Sequence, residues 1–131
     1  MTDRITVASD QDVVRVRQLV RTAAVAAKLS LVDQTKLVTA ASELARNTLV
    51  YGGGGMVELT SVDNGRRKGI QIVFADQGPG IADLDLALTD GYTTGRGMGL
   101  GLSGARRLVD EFDIDTKVGK GTSITVTKWC R

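Results

Sequence analysis

The sequence predicts a two-layer α+β sandwich, with a mixed, mainly antiparallel sheet covered on one face by helices. Three observations predict it. Strand-like and helix-like patterns alternate in the order β-α-α-β-β-(α)-α-β-β within 131 residues. Tight turns at "DNGRRKG" and "GKG" join neighbouring strands. Strands joined so closely run antiparallel, whereas a parallel pair needs a crossover between them. No internal repeat and no linker-like stretch divides the chain, so residues 1–131 are expected to form one domain.

Each element has its own signal. "RITVAS" alternates weakly and reads as a short first strand. Ser9 or Asp10 is placed to cap a helix running to about Leu29. Val13, Val16, Val20, Ala23, Ala24 and Ala27 form its apolar stripe, with Arg15, Arg21 and Lys28 off it. Ser30 opens a second helical pattern, with Leu37, Ala40, Ala41, Leu44, Ala45 and Leu49 apolar, and "YGGGG" stops it. "MVELTSV" and "IQIVFAD" alternate as two strands about an Asn-Gly turn. A glycine-rich region over 77–99 follows, interrupted by a short helical pattern at "DLDLAL". The next helix is expected from about Leu100 to Phe112. "DIDTKV" and "TSITVTKW" then form a closing hairpin.

Composition narrows the function. Hydrophobic residues make up 42% and charged residues 24%, with a net charge of +2, which gives no argument for nucleic-acid or membrane binding. Aromatics at 4% make a base-stacking platform an unsuitable reading. Histidine is absent, which excludes His-dependent triads, imidazole metal sites and a phospho-accepting histidine. Cys130 is the single cysteine, so there is no internal disulfide and no Cys-based zinc site. That usage, and an N-terminus too polar for a signal or a membrane span, point to a reducing, cytoplasmic compartment. Cys130 itself reads as incidental.

Within "GRGMGLGLSG", Gly99, Gly101 and Gly104 have the G-x-G-x-x-G spacing of a dinucleotide fingerprint. Such a fingerprint follows a buried strand and opens a β-α series. Here polar "LTDGYTT" precedes it and a hairpin follows, so a nicotinamide cofactor is set aside. Gly95, Gly97, Gly99 and Gly101 alternate just before a helix instead. Alternating glycines let backbone N–H groups approach an anion closely. Alone, such a run reads better as a flexible surface loop, and its company decides.

Two further constellations keep it company. In "ELARN", Glu43 and Asn47 lie one helical turn apart on one face, a carboxylate base beside an amide oxygen suited to a hard cation. In "DQGPGI", alternation along "IQIVFAD" puts Asp76 on the face of Ile70, Ile72 and Phe74, at the edge of the core. A carboxylate there needs donors. Either an Asx-type turn onto the following backbone supplies one, or a ligand amino group such as the adenine N6 does. Thr122 shares the corresponding face of the last strand with Ile124 and Val126.

E-x-x-x-N, D-x-G-x-G and G-x-G-x-G in this order, with "GKGT" after them, resemble the GHKL (Bergerat) ATPase/kinase superfamily over about residues 35–126. "SELARN", "DQGPGI", "ARRLVDEF" and the ending "KWCR" are similar to its anti-sigma-factor serine/threonine kinase branch, above all to the stressosome switch kinases. The resemblance implies the Bergerat ATP-binding fold, with ATP and Mg²⁺ as cofactors. It implies Glu43 as general base, Asn47 as Mg²⁺ ligand and Asp76 on the adenine amino group, supported by Thr122. It places Gly78, Gly80 and Ile81 around the adenine. It places Gly97, Gly99, Leu100 and Gly101 around the phosphates, Arg96 on the γ-phosphate, and a mobile lid over 83–98.

The activity so implied is a free-standing protein serine/threonine kinase in a bacterial stress-signalling partner switch. Its substrates and scaffold would be STAS-domain proteins, and on release it would activate a downstream phosphatase or other signalling enzyme by binding. The alternative is an anti-sigma factor that sequesters a sigma factor and phosphorylates an anti-anti-sigma protein. A nucleotide-binding domain without catalysis is the third reading.

Overall fold

The computed structural model describes residues 2–80 and 101–131. Its elements are β1 (Thr2–Val7), α1 (Asp10–Ala26), α2 (Leu31–Val50), β2 (Gly55–Asp63), β3 (Lys68–Asp76), α3 (Gly101–Arg107), β4 (Glu111–Lys117) and β5 (Gly121–Trp129). The expected short helix at "DLDLAL" lies outside the described residues.

Local chemistry sets the helix starts. Ser9 is the N-cap of α1, and the Asp12 carboxylate accepts the backbone N–H groups of Ala8 and Ser9 at 2.9 and 3.1 Å. Those donors would otherwise face the helix start unpaired. Ser30 caps α2, its hydroxyl accepting the Asp33 N–H at 3.1 Å. α2 ends at Tyr51, where Gly53 and Gly54 turn into left-handed conformations that stop it.

The five strands pair in the order β1-β2-β3-β5-β4. All four pairings are antiparallel, so the parallel pair that a mixed sheet would contain is not among the described residues. Helices α1 and α2 cover one face. Val16, Val20, Leu37 and Leu44 from the helices meet Val57, Ile70, Ile72, Phe74 and Val126 from the sheet, all essentially solvent-free. Truncating one such side chain to alanine typically costs about 2–5 kcal/mol. The other face carries Arg4, Glu58, Gln71, Thr125 and Asp113, a polar surface that needs no second layer.

The last helix departs from its expected span. It stops at Arg107 rather than near Phe112, which lies in β4 opposite Val126. The Leu108 N–H turns back onto Ala105 O, and the Asp110 N–H already bonds Thr127 O at 3.0 Å. From Glu111 onward burial alternates with period two, Phe112 and Ile114 inward and Asp113 and Asp115 outward. Leu108, Val109 and Phe112 all pack on the core, and that apolar trio imitates a helical stripe in the sequence.

Lys128 continues the inward face of β5 and is 4% exposed. Its ammonium lies 3.6 Å from Asp33 in the first turn of α2 and 3.6 Å from Asp110. Arg131 reaches the same two carboxylates. This network fastens the end of the chain to the start of α2, the helix that carries Glu43 and Asn47. Among the described residues no helix is long and apolar enough to cross a membrane.

Candidate functional site

The site gathers at the end of the sheet where β3 finishes and α2 stops. Asp76 is the last residue of β3 and is directly paired with Gly55 on one side and Thr122 on the other. Its Oδ1 accepts the Gly78 N–H at 2.9 Å, so the local Asx turn forms. Its Oδ2 has no partner among the described residues. A half-buried carboxylate with one fixed and one free oxygen is aimed and still able to accept from a ligand.

Glycines let the backbone pack closely against it. A Cβ on Gly52 would overlap the Cβ and Cγ of Asp76. One on Gly78 would lie 2.7 Å from Gly52 Cα and 3.1 Å from Asp76 Oδ1. Gly121, in a left-handed conformation at φ 95°, lies against the Asp76 carbonyl. Gly80 likewise has φ 76°, and its Cβ would strike the Lys117 carbonyl. The Gly119 N–H donates to Pro79 O at 2.8 Å, so "DQGPG" is held against the β4–β5 turn.

Thr122 is where alternation put it, beside Asp76 on the inward face. Its hydroxyl shares a 2.8 Å hydrogen bond with the Thr116 hydroxyl. The oxygen therefore sits within a threonine pair rather than on the Asp76 carboxylate.

The other half of the site comes from α2. Glu43 and Asn47 are both half-buried, about 6 Å apart along the axis. Glu43 Oε1 accepts the Gly101 N–H at 3.1 Å, which joins α2 to the first residue of α3. Gly101 is buried with φ 70°. Its conformation turns the N–H toward the carboxylate at a position that disfavours any residue with a Cβ. Glu43 Oε2 and the Asn47 side-chain amide have no partner among the described residues. The Asn47 carbonyl accepts the N–H groups of Tyr51 and Gly52 at 2.9 and 3.2 Å, so Asn47 is two short links from Asp76, through Gly52.

The structure thus brings Glu43, Asn47, Asp76, Gly78, Gly80, Gly101 and Thr122 to one end of the fold. Ile81, Arg96, Gly97, Gly99 and Leu100, and the 83–98 lid, lie outside the described residues. Sequence reading passed over Gly52 and Gly55, taken only as a helix stop, and gave Gly121 no site role beyond its place in "GKGT". It also passed over Thr48, whose hydroxyl bonds Leu44 O at 3.0 Å while its methyl packs on Gly55. The signal was four consecutive glycines, more than ending a helix requires.

A glycine-flanked carboxylate at a strand end thus stands at the same end of the fold as a helix bearing Glu and Asn. The profile of the family described as "Histidine kinase-, DNA gyrase B-, and HSP90-like ATPase" matches residues 32–130. The chain belongs to this ATPase family. It is 41% identical over 127 residues to the serine/threonine-protein kinase RsbT of Bacillus subtilis, covering 97% of this chain and 96% of the kinase. It is 28% identical over 115 residues to the anti-sigma F factor of Thermoanaerobacter sp. (strain X514), covering 82% of this chain and 79% of that protein. Among solved structures, the RsbU and RsbW domains of Rv1364c from Mycobacterium tuberculosis match all of this chain with a TM-score of 0.66 at 21% identity. This chain covers 33% of that one, and the likeness concerns the fold. Membership implies ATP use, and the two-layer antiparallel architecture is that of the family.

Proposed function

We propose that the chain is an RsbT-like protein serine/threonine kinase that transfers the γ-phosphoryl group of ATP to a STAS-domain partner in a bacterial partner switch. The observation that carries this is the pairing of two half-buried carboxylates, each with one oxygen fixed by a glycine N–H and one free. Asp76 is held by Gly78, and Glu43 by Gly101.

The roles follow from what is free. Asp76 Oδ2 accepts the adenine amino group, and Gly52 and Gly78, packed closely against Asp76, hold that carboxylate in place while Gly78 and Gly80 shape the adenine pocket in this reading. Glu43, tied to Gly101 through Oε1, has Oε2 left to take the proton of the attacking hydroxyl. The hydroxyl oxygen bonds to the γ-phosphorus as its bond to the ADP oxygen breaks. Such a transfer needs mainly positioning and charge neutralisation. Asn47 offers a single amide oxygen, and the described residues contain no cluster of acids able to hold a metal alone. That suits Mg²⁺, which is commonly held by phosphates and water with one or two protein ligands. Bound there, Mg²⁺ supplies neutralisation of phosphate charge. Arg96 and the glycines at 97 and 99 complete the phosphate contacts in this reading, and Ile81 and Leu100 the walls.

The cell compartment is the cytoplasm, and release from the STAS partner lets the kinase bind and activate a downstream phosphatase. The likeness to an anti-sigma F factor supports a second reading, sequestration of a sigma factor. Incubation with labelled ATP and a purified STAS-domain protein tests the first. Phosphoserine or phosphothreonine on the partner, abolished in Glu43→Ala and in Asp76→Asn, is the expected result. Transfer at the wild-type rate by Glu43→Ala would remove its assigned role. Co-purification of a sigma factor with no transfer to any STAS protein would favour the second reading.

A further inference from the structure

The turn "DNGRRKG" and the ending "KWCR" have no part in the ATP site, yet they meet in space. The Cys130 N–H donates to Lys68 O at 2.8 Å, and its thiol donates to Lys28 O at 3.2 Å. The Asn64 N–H bonds Arg67 O at 3.1 Å and closes the turn beside them. Between these parts lies an open groove of about 460 Å³. Five cations line it: Lys28, Arg66, Arg67, Lys68 and Arg131. Its remaining lining is Ala26, Ala27 and Cys130, small and weakly polar.

Arg131 is held by Asp33 and Asp110. The side chains of Lys28, Arg66, Arg67 and Lys68 have no acidic partner among the described residues. No acid among the described residues lines this groove. A shallower groove of about 310 Å³ shares Ala26, Ala27 and Lys68 with it and ends at Asp63, whose Oδ1 already accepts the Gly65 N–H. Lys28 adds a second sign. It is the single non-glycine residue with positive φ among the described residues, at 64°. A glycine would sit at this helix end without strain. What the position gains from lysine is its charge.

Four unpaired like charges around one concavity repel one another, and an anionic occupant relieves that repulsion. The net charge of +2 is small for a polyelectrolyte binder. The methyl-lined floor favours a ligand that interleaves carboxylates with apolar groups. Val25, Leu31 and Val32 are exposed on the adjoining helix corner and extend the apolar part. We propose that this groove is a second docking site, which binds an acidic segment of a partner polypeptide. Lys68 and Asp76 lie at opposite ends of β3, about 26 Å apart at a strand's rise per residue. The groove is thus separate from the ATP site, and the inference goes beyond the kinase reading without resting on it.

Fluorescence anisotropy of a fluorescein-labelled peptide alternating glutamate and leucine, at low salt and without nucleotide, tests the proposal. The wild-type chain is expected to bind it. The paired substitution Arg66→Glu with Arg67→Glu is expected to weaken binding at least about tenfold, and added salt to weaken it further. Arg15→Glu with Arg17→Glu, the same charge change elsewhere on α1, should weaken it far less, as should Glu43→Ala. Circular dichroism and the fluorescence of Trp129 confirm that each variant is folded, and Lys68→Gln serves if the double variant is not. Three results would overturn the proposal: no binding, equal binding of the peptide with glutamine for glutamate, or equal loss in the two double variants. Tighter binding of a single-stranded oligonucleotide or of phosphatidylglycerol vesicles, lost in the same variant, would overturn it too by assigning the groove to another partner.

Discussion

Gly52 and Gly53 are neighbours in one tetraglycine run, and alanine is expected to act on them by different routes. A Cβ on Gly52 would overlap the Cβ and Cγ of Asp76 and lie 2.6 Å from Thr48 O. The carbonyl belongs to α2, and the Asp76 atoms are the stem of that side chain, so neither yields by a simple swing. Asp76 must rotate, which also breaks its 2.9 Å bond to the Gly78 N–H. Overpacking of this kind costs about 1–3 kcal/mol. Loss of unfolded-chain freedom offsets about 0.4–1 kcal/mol of it. Losing a hydrogen bond to a charged group costs a further ~1.5–3 kcal/mol in nucleotide binding, or about ten- to a hundredfold in Kd. Gly53 has open space around it and φ 72°. Alanine there carries only the left-handed penalty of about 1–2 kcal/mol, and ATP affinity should stay at the wild-type level. Gly52→Ala should therefore lose at least as much stability as Gly53→Ala, and it alone should lose ATP affinity. Urea unfolding read by Trp129, the single tryptophan, gives the first quantity. Calorimetric titration with ATP gives the second. Wild-type affinity in Gly52→Ala, or equal loss in both, would refute the placement of the nucleotide against Asp76.

Burial rather than distance should rank the ion pairs. Arg4 and Glu58 are 2.7 Å apart but exposed, so Arg4→Ala should cost below about 1 kcal/mol. Lys128→Met leaves Arg131 as the one cation on Asp33 and Asp110 among the described residues and should cost about 3–5 kcal/mol in urea unfolding, with little salt dependence. The Trp129 indole lies over Gly69, where a Cβ would stand 2.7 Å from it, and its N–H bonds Glu111 at 2.6 Å. Gly69→Val should displace the ring, red-shift its emission and cost about 1–3 kcal/mol; an unchanged spectrum would contradict that packing. The Asp12 carboxyl is held below its ordinary value of 3.8, chiefly by the Ala8 backbone N–H. Its capping contribution is complete above that value and is lost as the pH falls through the lower folded value. The stability difference between wild type and Asp12→Asn should accordingly vanish on acidification below pH 3.8.

Much of the architecture was legible because periodicity and capping are local properties. Ser9 and Ser30, the tetraglycine stop and the Asn-Gly turn set the first five elements within a few residues of their observed ends. Alternation along β3 placed Asp76 on the inward face, and i, i+4 spacing placed Glu43 with Asn47. The last helix was misjudged because three apolar residues shared by a helix end and a strand start fit either period. The register decided it, once Thr127 O captured the Asp110 N–H. Tertiary structure alone brought Thr122 opposite Asp76 and set the Gly101 N–H on Glu43. It alone turned Gly52, Gly55 and Gly121 from punctuation into close backbone contacts at the end of β3. It also gathered cations from positions 28, 66–68 and 131 around one groove. A sequence shows which residues can hold a charge or leave a space. Which of them share that space depends on contacts between segments far apart in the chain, and those exist only once the core has closed.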